Sequence, residues 1–275
     1  MFIIQPHYHA IARTAQDYER MAQSGVVAVA EPAFWAGFDR QYPETFLDYF
    51  KQISEFEPTR AAQYGIKHYC WVAVNPKEAE NPDLSRVVLQ HMPEFFKKPN
   101  VLGVGEIGLH LSTKNECDIF EEQVALALEY NQLMLIHTPH LHDKKYGTNR
   151  ILEILCGFSN LDPNRVWIDH IEEHTIKAVR DAGFWTGFTL YPVTKCTAAR
   201  ACDMLEIYGH ERMMINSSAD WGPSDPFTLQ ECVLEFRRRG NSIQAATELF
   251  YNNPCRFLGQ NPKWTLKPIQ ITEEE

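Results

Sequence analysis

Val101-Leu-Gly-Val-Gly-Glu106 is a short apolar run, carrying two glycines, that stops on a carboxylate. A buried parallel strand reads as such a run, and the glycines allow close approach of neighbouring backbone. Four further runs end in a similar way: Phe2-Ile-Ile-Gln-Pro-His7-Tyr-His9, Leu133-Met-Leu-Ile-His137, Val166-Trp-Ile-Asp-His170 and Met213-Met-Ile-Asn-Ser-Ser-Ala-Asp220. The active site of an α/β barrel gathers at the C-terminal ends of its strands. Five such runs ending in His, Glu or Asp therefore predict a barrel whose strand exits share one polar site.

Working outward, eight strand-like segments lie near 2–9, 25–31, 67–74, 101–106, 132–137, 165–170, 184–190 and 212–219. The second stops at Glu31-Pro32 and the third at Asn75-Pro76, and proline ends a strand by removing a ladder donor. Helical patterns alternate with them. The clearest is Glu116 to Tyr130, with Ile119, Phe120, Val124, Ala127 and Leu128 on one stripe. Eight alternating units predict a (β/α)8 TIM barrel, and the alternative open sheet lacks a Gly-rich phosphate loop after its first strand. One domain spans 1–275, with 264–275 expected as a C-terminal tail. The longest insertion, 32–66, opens with Ala33-Phe-Trp-Ala-Gly-Phe. It reads first as a loop packing its aromatics over the barrel and second as a substrate-binding lid.

Composition narrows the function classes. Hydrophobic content of 44% and charged content of 23% are ordinary for a soluble globular chain. No apolar run is long enough to span a bilayer, and the N-terminus carries no secretory pattern, so the expectation is a cytoplasmic protein. Seven cysteines without C-x-x-C spacing argue against a disulfide framework; Cys70 and Cys156 read as reduced core residues. A net charge of −10 argues against extended binding of duplex nucleic acid, though bound cations would still admit a phosphate substrate. The closing Glu273-Glu-Glu reads as a solvated terminus.

The candidate ligands have distinct chemistry. His7 and His9 alternate on a strand, so both face one side and can clasp one ion. Glu106 offers two oxygens and can bridge two cations. His137 and His170 supply neutral imidazole, a common ligand for borderline transition metals. Asp220 combines weak ligation with the capacity to accept a proton from an attacking water. Asp169 is expected to point away from His170, as a surface or interhelix polar group. Around the strand exits, His110, His140, His142 and His174 suggest a His-rich mouth that could orient ligands. Lys195 is read either as a contact to a substrate phosphate or carboxylate or as a helix cap, and Glu31 as a further candidate.

In this order the motifs resemble the TatD-like metal-dependent hydrolases of the amidohydrolase superfamily, as a divergent branch. The matching pieces are His7-Tyr-His9, Gly103-Val-Gly-Glu106-Ile-Gly-Leu109, Leu135-Ile-His137, His170, Ala219-Asp220 and Asn252-Asn-Pro-Cys-Arg256-Phe-Leu258. The resemblance implies a barrel holding two divalent ions bridged by Glu106, with His7, His9 and Asp220 completing one site and His137 and His170 the other. Mixed ligation of this kind admits Zn, Mn, Fe or Ni. The chain departs from the family pattern at Gln5, His110, His140 and Ser218, which stand beside the ligand motifs. The expected function is hydrolysis by a metal-activated water, with Asp220 and Glu106 catalytic. The substrate expected is a phosphoester, either a small phosphorylated metabolite or a nucleic-acid end. Alternatives are an amide, imide or lactone bond, or a catalytically silent metal-binding barrel.

Overall fold

The computed structural model describes residues 1–140 and 143–271. Eight parallel strands run in sequence order: β1 Ile3–Gln5, β2 Val26–Glu31, β3 Lys67–Val72, β4 Val101–Gly108, β5 Leu133–His137, β6 Val166–Ile168, β7 Trp185–Thr189 and β8 Met213–Asn216. Helices follow each strand on the outside: α1 Ala15–Gln23, α2 Pro43–Lys51, α3 Glu57–Ala62, α4 Pro82–Phe95, α5 Lys114–Glu129, α6 Lys144–Cys156, α7 Ile176–Asp181, α8 Ala198–Tyr208 and α9 Thr228–Arg238, then α10 Ile243–Thr247 and α11 Asn253–Leu258. This is the expected single-domain (β/α)8 barrel. Its strands are apolar runs because helices cover them outside and side chains fill them inside. All eight residues of β4 are buried.

Two apolar clusters divide the interior. The larger lies between the strands and the helical shell. The second fills the barrel floor, where Phe257 of α11 meets Trp71, Trp167 and Trp185 at ring-centroid distances of 6.4, 6.2 and 5.4 Å. Such separations suit aromatic packing. With the N-terminal end plugged, only the strand-exit end remains open to a ligand.

The ring is closed between β8 and β1 by loops and side chains. Ser218 N–H donates to His7 O and His9 N–H to Ala219 O, each at 3.0 Å. The fully buried Gln5 amide donates to Pro226 O at 3.0 Å and accepts from Ser217 N–H at 3.3 Å. A carboxylate at position 5 would lack that donor. The same seam thus brings the exits of the first and last strands together.

Several expected boundaries shift. β1 stops at Gln5 rather than at 9, so His7 and His9 belong to the exit segment. β6 stops at Ile168 rather than at 170, which changes the direction of Asp169. Cys156 is exposed at the end of α6, not a core residue; all seven cysteines are free. In the segment expected as a tail, Trp264 packs on Tyr69 at 4.4 Å, and Ile269 exchanges hydrogen bonds of 2.8 and 2.9 Å with the Asn252 side chain. Residues 272–275, including Glu273-Glu-Glu, lie outside the described residues.

Close backbone approach explains the first glycine of the key run. A methyl group on Gly103 would sit 2.2 Å from Leu133 O, where β4 meets β5. Because the opposing atom is backbone, relief requires the strands to part. Gly103→Ala is expected to lower stability by about 3 kcal/mol; a denaturation midpoint unchanged from wild type would refute this account of the β4–β5 contact.

Candidate metal centre

Three strand exits bring four imidazoles around one carboxylate oxygen. Glu106 Oε1 lies 3.5 Å from His7 Nε2, 3.2 Å from His137 Nδ1 and 2.9 Å from His170 Nε2. His9 Nε2 is 3.1 Å from His7 Nε2. The donors form two trios that share Glu106: His7 with His9, and His137 with His170. All five side chains are buried. Burial holds the imidazoles of His9, His137 and His170 well below the usual histidine range, so they stay neutral, the form that ligates a metal.

The hydrogen bonds then dictate which nitrogens are bare. His7 Nδ1–H donates to Asp169 Oδ2 at 2.7 Å. Asp169 is fully buried, and Asn216 Nδ2 donates to both its oxygens at 2.9 and 3.0 Å. His170 Nδ1–H donates to Thr189 Oγ1 at 2.6 Å, and that hydroxyl donates onward to Asn216 Oδ1 at 2.9 Å. With both Nδ1 atoms in these bonds, His7 and His170 turn their Nε2 atoms to Glu106 Oε1, where only the long contacts from Ser218 Oγ at 3.3 Å and Lys195 Nζ at 3.5 Å also reach them. At neutral His170 an acceptor faces an acceptor, and a cation between them would resolve the conflict. His137 Nε2 and His9 Nδ1 are also buried without a partner among the described residues. The donor set of imidazole and carboxylate suits a divalent transition metal.

Asp169 is the main residue misread from the sequence. It was expected to point away from His170 as a surface or interhelix polar group, yet it faces inward and orients His7, as outer carboxylates do for metal-bound histidines. The signal was the adjacency Asp169-His170 at a strand end. With β6 closing at Ile168, alternation no longer sends the two residues to opposite sides.

His170 occupies a left-handed conformation, with φ of 61°, which is uncommon for a residue other than glycine. Its carbonyl is pinned by Lys144 Nζ at 2.6 Å, and Lys144 also donates to Thr138 Oγ1 at 2.9 Å. Lys144 is fully buried, and that desolvation pulls its ammonium down to about 7. Thr138 and Lys144 are thus further residues of the site's support that the sequence did not single out.

Above the trios opens a cavity of about 330 Å³. Asp220 lines it but belongs to neither trio. Its Oδ1 accepts from Tyr191 O–H at 3.0 Å, Gly222 N–H at 2.7 Å and Ser224 O–H at 3.3 Å. Among the described residues Oδ2 takes no bond. Burial and the neighbouring Asp220 push the Tyr191 hydroxyl up to about 12, so it remains a donor. Arg13, donating at 2.8 Å to Asp220 O, fixes the backbone there.

Lys195 also lines the cavity, with Nζ 3.5 Å from His170 Nε2 and from Ser218 Oγ. Desolvation lowers its pKa from the usual lysine value. His140 joins the wall, 5.1 Å from the His137 ring, and burial keeps it neutral. His110 stands behind it at 6.5 Å, His174 is exposed on the surface, and His142 lies outside the described residues. Glu31 is not part of the site: it accepts from Ile11 N–H at 2.8 Å and bonds His68 Nε2 at 2.7 Å, securing the loop after His9. Phe34 stacks on His9 at 4.0 Å, and Trp35 reaches the cavity rim, so the aromatic insertion both packs and lines.

With this geometry in hand, the similarities to known proteins are specific. The family model of the TatD-related DNases matches residues 7–236. An uncharacterised metal-dependent hydrolase of Methanocaldococcus jannaschii is 29% identical over 255 residues, covering 93% of this chain and 99% of its own. The crystal structure of a TatD-like protein from Archaeoglobus fulgidus superposes with a TM-score of 0.77 at 25% identity, covering 93% of this chain and 99% of that one. A phosphotriesterase homology protein of Escherichia coli, crystallised with phosphate in its active site, superposes at 0.68 over 94% of this chain and 98% of its own. At 15% identity that likeness shows the fold alone. The chain belongs to the TatD-related DNase family and is a metal-dependent hydrolase of that barrel type.

Proposed function

We propose that the protein hydrolyses a small phosphoester, and that His7, His9, Glu106, His137 and His170 would hold the pair of divalent cations that assists it. The observation that carries this reading is the pair of imidazole couples converging on one carboxylate oxygen, His7 with His9 and His137 with His170. Bound there, a pair of divalent ions supplies Lewis-acid polarisation of the substrate and lowers the pKa of water.

The chain's own groups account for the remaining steps. Glu106 keeps the two couples in register. Asp220, with Oδ1 saturated by three donors and Oδ2 unengaged, accepts the proton of the attacking water. Lys195 faces the substrate phosphate, balancing its charge beside His170. Asp169 acts through His7, fixing its tautomer and ring plane. The phosphoester is favoured over an amide or lactone because Lys195 has no carboxylate within ion-pairing distance among the described residues, and it borders a cavity suited to a small anion.

Elemental analysis is expected to give about two equivalents of transition metal per chain, falling in Glu106→Gln along with at least about 10³-fold in kcat. Asp220→Asn is expected to retain the metal and lose about 10²- to 10⁴-fold in kcat on the same phosphoester. Wild-type rates in either variant would sink the assignment, and turnover of lactones but not phosphoesters would move the substrate class. Asp169→Asn, in protein verified as folded by circular dichroism, should weaken metal affinity about 10- to 100-fold in competition with a chelator. Equal affinity would show that Asp169 merely packs.

A further inference from the structure

Two tryptophans stand at the cavity rim with no part in the chemistry above. Trp35 follows β2 and Trp221 follows β8, so their loops flank the exit of β1. Their ring centroids are 5.9 Å apart with planes tilted by 54°, which makes an open corner rather than a closed stack. Trp35 is anchored: its indole N–H donates to Asp39 Oδ1 at 3.1 Å, and Lys77 Nζ lies 4.7 Å over its ring. Trp221 is 55% exposed. A side-chain carbon on Gly37 would only touch its ring, at 3.8 Å.

Charge and size restrict the occupant. Lys77 and Lys195 both line the cavity, and neither has a carboxylate within ion-pairing distance among the described residues. In a chain with ten excess negative charges, two unpaired ammonium groups at one cavity mark an anionic ligand. A volume of about 330 Å³ lies at the small end of ligand sites, so the occupant is a single small molecule. A flat ring lying face-on against one indole meets the other at a tilt of about 54°, between the stacked and edge-on geometries that aromatic pairs prefer. An aliphatic group gains the apolar contact but not that term.

We infer that the substrate is a small organic anion carrying one flat aromatic ring, seated in the Trp35–Trp221 corner with its anionic end toward Lys195. This deepens the hydrolytic reading of the same site and rests on it. Lys77, 4.7 Å over the Trp35 ring, adds positive potential at the ring end.

The test uses ligands that cannot turn over. Calorimetry on the metal-loaded protein compares phenylphosphonate with cyclohexylphosphonate, and benzoate with cyclohexanecarboxylate, so that ring preference is read independently of the head group. The aromatic member of each pair is expected to bind about three- to tenfold tighter. In a Trp35→Leu/Trp221→Leu double variant, which keeps apolar bulk, the two members should bind alike. Equal binding in wild type, a preference that survives in the double variant, or no binding by either pair would each overturn the inference. Ester turnover is measured separately. Ring preference without turnover on any ester would refute the phosphoester reading and leave the ring site standing; turnover indifferent to the ring would do the reverse.

Discussion

Glu106 occupies a buried position at which three nitrogen atoms crowd one of its oxygens, and this crowding organises the whole exit face. Burial keeps three of the surrounding imidazoles neutral, so they contribute no charge to offset the carboxylates of Glu106 and Asp169. A polar cluster removed from water needs full satisfaction of its donors and acceptors, or it costs more than an apolar one of the same volume. Hydrogen bonds satisfy the outer atoms, through Asn216, Thr189 and Asn75, but leave the inner nitrogens opposed to an oxygen. Beyond the long contacts from Ser218 Oγ and Lys195 Nζ, cations are the remaining means of satisfying them. The site is therefore strained toward metal binding by the same packing that makes it rigid.

That arrangement demands that strand ends from around the ring arrive at one level. Asp169 follows β6 and is bonded by groups from β8 and the exit of β1, with Thr189 of β7 linked to it through Asn216. The seam between the first and last strands is closed by two backbone bonds beyond their ends and by Gln5, which brings His7 and Ser218 within 3.3 Å of each other. At the other end of the barrel, Phe257 and three tryptophans fill the floor. An unplugged floor would admit water beneath the cluster and weaken every electrostatic contact in it.

The strands were legible because parallel strands in a barrel are buried on both faces, so the apolar run itself is the signal. All eight appear in order, and the helix expected over 116–130 forms as α5 from Lys114 to Glu129. Convergence of His7, His9, Glu106, His137 and His170 was legible for a related reason, since each closes such a run. What was not legible lies where local pattern ends. Alternation governs a residue only while the strand continues, and β6 stops one residue before Asp169, so the rule sent that side chain the wrong way. Cys156 followed an apolar stretch but fell on the outer turn of a helix. Lys144 carries no sequence sign of burial at all, because its partners, Thr138 and the carbonyl of His170, meet it only in the folded barrel.

Reaction chemistry and substrate choice thus rest on different parts of the chain. The groups around Glu106 sit on strand ends or within four residues of them, where barrel closure fixes their positions. Trp35, Lys77, Tyr191, Lys195 and Trp221 sit on loops after β2, β3, β7 and β8, and these loops are free to vary without disturbing the ring. Asp220 stands between the two sets: it lies on the β8 loop, yet Arg13, Tyr191, Gly222 and Ser224 hold it as firmly as a strand would. A loop carboxylate needs that many partners because no ladder of backbone bonds positions it. The number of side chains engaged on Asp220 is itself evidence that its place over the cavity matters more than the path of the loop that carries it.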